Sequence, residues 1–200
     1  MEIRKATGAD LDAVENSYRE LLQNIKPAEN YSGWVLDVYP TRAWAEENLD
    51  DLWVLTEGDT LGASMILNHV QSEDYRQIPW EIPASPEQVN VIHTLCVPPG
   101  QAGKGYGKTM VQFGIEESRR QGMTAMRLDT AKGNLPATRL YTGCGFEIRG
   151  ERHVLHQGLI SEDQIFFELG LSKAPQIGYN TDMEMLQFGE QLQGDEPREG

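Results

Sequence analysis

From Leu128 to Glu147 the chain reads LDTAKGNLPATRLYTGCGFE. The residues before it, MTAMRLDT, carry an apolar strand pattern that ends on Asp129. Pro136 then suits the first position of a short helix, PATRLYT, because its missing N–H is not needed there, and Gly143 follows as a terminator. Asn134 stands where a helix start is ordered, and Tyr141 lies near the helix end. A strand, a turn and a one-to-two-turn helix thus present one carboxylate, one amide and one phenol.

The segment upstream has a related logic. VNVIHTLCV is a strand stopped by Pro98-Pro99-Gly100, and GKTMVQFGIEESRRQ is a helix with Met110, Val111, Gly114, Ile115 and Ser118 on one face. Arg119 and Arg120 complement the helix C-terminal dipole, and Gly122 stops the helix. Between strand and helix lies Gln101-Ala-Gly-Lys-Gly-Tyr-Gly-Lys-Thr-Met110. A glycine-rich loop running into a helix start gathers unpaired N–H groups and the positive helix end, which makes an anion site. Three users of such a loop compete. The Walker A pattern fits Gly107-Lys108-Thr109, but its first glycine falls on Ala102. The dinucleotide fingerprint fails because Gly107 comes one residue early, although Asp129 stands where a ribose-binding acid would. The pyrophosphate of another cofactor is the third.

Outward from these motifs the order is regular. Ile3 to Thr7 reads as a strand, and Thr7 with Asp10 opens a helix through DLDAVENSYRELL, with Leu11, Val14, Tyr18, Leu21 and Leu22 on one side. TRAWAEENL is a second short helix. LWVLTE and LGASMILNHV form a hairpin around GDT, and QSEDYRQIPWEIPASPEQ is a long loop. HVLHQ and QIFFELGL close the order as strands. Residues 171–200 change character: QGDEPREG is polar, whereas TDMEMLQF has a capping box (Thr181, Glu184) and apolar Met185, Leu186 and Phe188. That helix would pack on its own body or on a second copy of the chain, making a homodimer one expectation; a loosely attached tail is the other.

Composition narrows the classes. With 39 % apolar and 24 % charged residues in 200, one soluble domain with a core is expected. Seventeen basic against 31 acidic residues leave a charge of −14, which disfavours nucleic acid and anionic membrane as partners and mildly favours cations. There is no apolar leader or spanning run, and Cys96 and Cys144 have neither metal nor disulfide spacing, so a cytoplasmic location is expected. His69, His153 and His156 show no metal spacing either.

The pattern L-D-T-x3-N-x2-A-x2-L-Y-x3-G-F, on Asn134, Ala137, Leu140, Tyr141, Gly145 and Phe146, taken with LCVPPGQAGKGYGK upstream, resembles the GNAT superfamily of acyl-CoA-dependent N-acetyltransferases. The resemblance covers about residues 1 to 170, with 171–200 as a tail, and favours the third user of the loop. It implies an α/β (α+β) fold: a mixed, mostly antiparallel, twisted sheet of six to seven strands with helices on both faces. It also implies acetyl-CoA as cofactor, a small-molecule or peptide amine as acceptor, and direct attack without a covalent enzyme intermediate.

The residues follow from that resemblance. The main chain of Leu95, Cys96 and Val97 would pair with the pantetheine arm. The diphosphate would rest on Gly103, Lys104, Gly105, Tyr106, Gly107, Lys108 and Thr109. The family loop opens with Arg or Gln where Ala102 stands, so Gln101, Lys104 or Lys108 would compensate. Asn134 and Ala137 would border the cofactor, with Asn134 either bonding the pantetheine or ordering the helix start. Tyr141 would donate to the departing thiolate. Alternation places Val91, His93, Leu95 and Val97 on one face, with His93 as general base or as a core histidine; Glu81 or Glu87, acting through water, is the reserve. Tyr31, Trp34, Trp80 and Glu81 are expected to wall the acceptor cleft, where aromatic faces and a carboxylate suit a cation with an apolar body. A non-catalytic acyl-CoA sensor and a P-loop nucleotide hydrolase are the alternatives.

Overall fold

The hairpin around Gly58 forms because that glycine takes φ 57°, a left-handed turn conformation that costs glycine little. Its arms are β2 (Leu52–Glu57) and β3 (Thr60–Asn68). The structure, a computed structural model, describes residues 1–24, 33–156, 158 and 160–171. The expected tail helix and Tyr31 therefore lie outside the described residues. The other elements are β1 (Glu2–Lys5), α1 (Leu11–Asn24), α2 (Arg42–Glu47), β4 (Val89–Cys96), α3 (Tyr106–Arg120), β5 (Ala125–Ala131), α4 (Leu135–Gly143), β6 (Glu147–His156) and β7 (Ile160–Gly170).

The strands make one seven-stranded sheet in the order β1-β2-β3-β4-β5-β7-β6. Only β4 and β5 run parallel; every other neighbouring pair is antiparallel. Helices cover both faces, as expected. On one face α3 and α4 bury Met110, Val111, Ile115 and Tyr141 against Leu55, Met65, Ile92, Leu128 and Phe167. On the other, α1 and α2 bury Leu11, Val14, Tyr18 and Ala45 against Leu52, Val54, Ile66 and Cys96. At the start of α1, the Asp10 carboxylate accepts the Thr7 N–H at 2.8 Å and two Arg4 guanidinium bonds at 2.8 Å. The Arg4 hydrogen bond, outweighing burial, holds Asp10 at about 2.

Two strands begin earlier than their sequences indicate, and β7 does so at Ile160 rather than Gln164. β6 starts at Glu147 rather than His153, since EIRGER has no apolar period to reveal it. Pairing with β7 and the placement of Arg149 beside the buried Glu168 make it a strand. The long 71–88 loop is folded down on the sheet, with Tyr75, Ile78, Trp80 and Ile82 packed on Val89, Val91 and Phe166. No helix among the described residues is long and apolar enough to cross a membrane.

Candidate active site

The site exists because two strands part. β4 and β5 pair from Val89↔Ala125 to Ile92↔Leu128, and their ladder ends there. Beyond that point β4 stays with β3, while β5 continues with β7 as far as Ala131↔Gln164. A cavity of about 390 Å³ occupies the opening, bordered by Ile92 to Leu95 on one side and Asp129 to Ala131 on the other.

A bulge directs the β4 side. Ile66 pairs with His93 and Ser64 with Cys96, so three steps along β4 match two along β3. Thr94 absorbs the extra residue at φ 50°, a left-handed conformation costing a β-branched residue about 1–3 kcal/mol. Its Oγ1 is within 3.1 Å of the Tyr39 hydroxyl and accepts the Trp44 indole N–H at 3.0 Å, which holds the conformation. The bulge corrects the expected alternation. Val91 packs on the face carrying Tyr75 and Phe166, whereas Leu95 and Val97 turn to the α3 face. Cys96 points away towards α1, and burial pushes its thiol up to about 12, so it is chemically inert.

The glycine loop has the shape an anionic diphosphate requires. Gly103 and Gly105 take φ 80° and 82°, and nothing lies within 4 Å of where a Cβ would stand on either. Gly105 is the N-cap of α3, with no side chain capping it. Among the described residues the N–H groups of Gly103 to Lys108 have no protein acceptor, and the first back-bond is Thr109 N–H to Gly105 O at 3.0 Å. Gly107 lines the cavity with Val97 and Leu140. Lys104 reaches back to Gln101 Oε1 at 2.7 Å, so the cation and amide flanking Ala102 are tied together. The Tyr106 ring is buried in the core, so its main-chain N–H is the group it presents to the loop.

α4 supplies the phenol. Asn134 spends its side chain on structure, accepting the Ala137 N–H at 3.2 Å and donating to Thr130 Oγ1 at 3.1 Å. Of its two expected roles the structure shows the ordering of the helix start, while the residue still borders the cavity beside Pro136 and Ala137. Tyr141 packs its ring edge-on to Phe146 and Phe167 and also lines the cavity. Among the described residues its hydroxyl has no hydrogen-bond partner. Burial, followed by the charge of Asp129, holds the phenol well above its ordinary pKa, so it remains a proton donor.

His93 borders the same cavity. Its Nε2 lies 3.1 Å from the Val70 carbonyl, which can only accept, so Nε2 carries a proton. Trp34 lines the cavity as expected, edge-on to Tyr18 and Tyr39. Trp80 and Glu81 do not. The Trp80 ring stacks on the Arg127 guanidinium at 4.2 Å, and Glu81 pairs with Arg149 at 2.7 Å. Both serve to fasten the 71–88 loop, and Glu87 also stands away from the cavity. The reading of the sequence missed Glu162 and Gln164 as wall residues and gave Asp129 a different role. Only Arg127 and Asp129, alternating with Met126 and Leu128, signalled a polar face on β5.

Comparison with known proteins agrees with this geometry. The chain is 28 % identical over 150 residues to the L-methionine sulfoximine/L-methionine sulfone acetyltransferase of Pseudomonas aeruginosa, covering 74 % of this chain and 81 % of that protein. It is 32 % identical over 73 residues to the streptothricin acetyltransferase of Streptomyces lavendulae, covering 36 % of this chain and 39 % of the other. Among solved structures, the ribosomal-protein-alanine N-acetyltransferase of Brucella melitensis superposes with a TM-score of 0.63 at 21 % identity, over 86 % of this chain and 100 % of that one. The yncA protein of Salmonella typhimurium, solved with its cofactor acetyl-CoA, gives 0.60 at 21 % identity, over 87 % and 95 %. The model of the acetyltransferase (GNAT) family matches residues 15–146. With the parted strands, the open glycine cradle and the cavity-lining phenol, that match means that the chain belongs to the acetyltransferase (GNAT) family.

Proposed function

We propose that this chain transfers the acetyl group of acetyl-CoA, the family's donor, directly to a primary amine of a small molecule, with Tyr141 as acid and His93 as base. One observation carries the reading: a single cavity joins Gly107 of the anion cradle to Tyr141 and His93. Relatives named for methionine sulfoximine and streptothricin support a small acceptor.

When bound, acetyl-CoA supplies an electrophilic thioester carbonyl and a thiol leaving group. The N–H groups of Gly103 to Lys108 bind the diphosphate, and the main chain of Leu95 to Val97, bordering the gap in the sheet, holds the pantetheine arm. Tyr141 donates a hydrogen bond to the sulfur as charge develops there. A phenol near 10 against a thiol near 8.5 makes complete transfer uphill by about 2 kcal/mol or more, so a strengthening hydrogen bond is the productive interaction. An amine of lysine-like pKa must lose a proton before attack, at a cost of about 4.6 kcal/mol at pH 7, and His93 takes it up directly or through water.

Thiol release from acetyl-CoA across a panel of primary amines tests this reading. Stabilisation by acetyl-CoA with no release for any amine would favour the sensor alternative, and stabilisation by ATP–Mg²⁺ alone the nucleotide hydrolase. His93→Ala is expected to lower kcat/KM by about 10²-fold at pH 7. Unchanged kcat/KM in the variant assigns the base elsewhere. Gly105→Val is expected to weaken acetyl-CoA binding by about 10-fold, since a side chain at φ 82° costs about 1–2 kcal/mol. Saturating kcat should change little; calorimetric titration and steady-state rates separate the two.

A further inference from the structure

The half of the cavity facing away from α3 is acidic, and acetyl transfer to a generic amine does not require that. Asp129 on β5 and Glu162 on β7 share this wall with Gln164, opposite Trp34 and Tyr39. Tyr75, fully buried and held far above an ordinary phenol by that burial, donates to Asp129 Oδ1 at 2.6 Å. Gln164 Nε2 donates to Glu162 Oε1 at 2.9 Å. Gly33 lies so close over this carboxylate that an added Cβ would stand 1.7 Å from Oε2. Both carboxylates are thus oriented by neutral donors, yet among the described residues neither has an ion-pair partner. Burial, opposed by the Gln164 hydrogen bond and reinforced by the charge of Asp129, raises the Glu162 carboxyl above its ordinary range. No Lys or Arg is found among the described residues lining the cavity. Independently, the Tyr141 hydroxyl, in a side chain more than nine-tenths buried, faces the same cavity without a partner, which marks the space as built for a ligand.

We infer that the acceptor is a compact diamine-like molecule, with a second cationic nitrogen that Asp129 and Glu162 bind and with no carboxylate beside the reacting amine. This rests on the acetyl-transfer reading above and names its substrate class. Two partly desolvated carboxylates attract a cation and repel an anion, so the wall both selects diamines and rejects α-amino acids. Trp34 and Tyr39 offer aromatic surface to the same cation.

Three probes matched in skeleton test this: putrescine, n-butylamine, which lacks the second nitrogen, and ornithine, which adds an α-carboxylate. With the full chain at saturating acetyl-CoA, kcat/KM for putrescine should exceed that for butylamine by about 10-fold or more, and that for ornithine by about 10²-fold. The putrescine advantage should fall as ionic strength rises. In Asp129→Asn and in Glu162→Gln the putrescine-to-butylamine ratio should drop to within about 3-fold. Should Asp129→Asn fold poorly because the neutral amide weakens the bond from Tyr75, Glu162→Gln decides alone. Equal turnover of putrescine and butylamine, efficient turnover of ornithine, or a putrescine preference that survives Glu162→Gln would overturn the inference and leave acetyl transfer standing. No thiol release with any amine, in protein that acetyl-CoA still stabilises, would instead remove the acetyl-transfer reading itself.

Discussion

Tyr141→Phe should lower kcat by about 10²–10⁴-fold, the usual contribution of a positioned acid, with kcat/KM falling in parallel. The substitution removes one oxygen and keeps the ring contacts with Phe146 and Phe167, so neither the core nor the α4 helix has reason to move. Among the described residues the hydroxyl bonds nothing in the protein, and folding therefore loses no hydrogen bond with it. Acetyl-CoA affinity, assigned above to the proposed main-chain cradle, should stay within about 3-fold, because the lost interaction grows only as the thiolate departs. Steady-state kinetics with a thermal shift in acetyl-CoA checks both halves. The wild-type alkaline limb adds a sign test. An acid is lost as pH rises through its pKa, and burial puts this phenol well above its ordinary value, so Tyr141 should cause no fall in rate up to about pH 10. Undiminished turnover in the variant would leave Tyr141 as a packing residue.

The largest effect on stability is expected at Glu168. This fully buried carboxylate accepts the N–H groups of Glu81 at 2.9 Å and Ile82 at 3.1 Å, and bonds from Arg127 Nε at 3.1 Å and Arg149 Nε at 3.2 Å. It fastens the 71–88 loop to the sheet and is the counter-charge for Arg127, whose side chain is 6 % exposed. Glu168→Ala leaves that guanidinium buried without its anion and two N–H groups without an acceptor, which should cost about 3–5 kcal/mol. In a domain of this size that corresponds to a fall in Tm on the order of 10 °C. Because the same loop carries Tyr75, which orients Asp129, acceptor KM should rise as well. Urea unfolding and differential scanning calorimetry measure the first effect. The double variant Arg127→Met with Glu168→Leu should recover much of the loss, since an apolar pair carries no unpaired buried charge. A loss below about 1 kcal/mol in Glu168→Ala would show that water already compensates the network.

The sequence reading was strong where a local signal existed. Gly103 and Gly105 were expected to let the backbone approach a ligand, and both sit at positive φ with open space around them. Asn134 and Pro136 were expected at a helix start, and they bracket the beginning of α4. The hairpin and the apolar face of α3 were equally clear. Local signals say little about how one strand is placed against another. Thr94 looks like any β-branched strand residue, yet it bulges and reverses which face Leu95 and Val97 occupy. Trp80 and Glu81 looked like cleft residues, but they bind Arg127 and Arg149 from distant strands.

The sequence alone carries the family, the open glycine loop and the short helix that bears Tyr141, because each rests on backbone conformations and residue spacings contained within about 20 consecutive residues. Only the tertiary structure decided the acidic wall of Asp129 and Glu162 and the gap between β4 and β5. Those depend on the register of strands far apart in the chain, where a one-residue bulge moves every later side chain to the opposite face of the sheet.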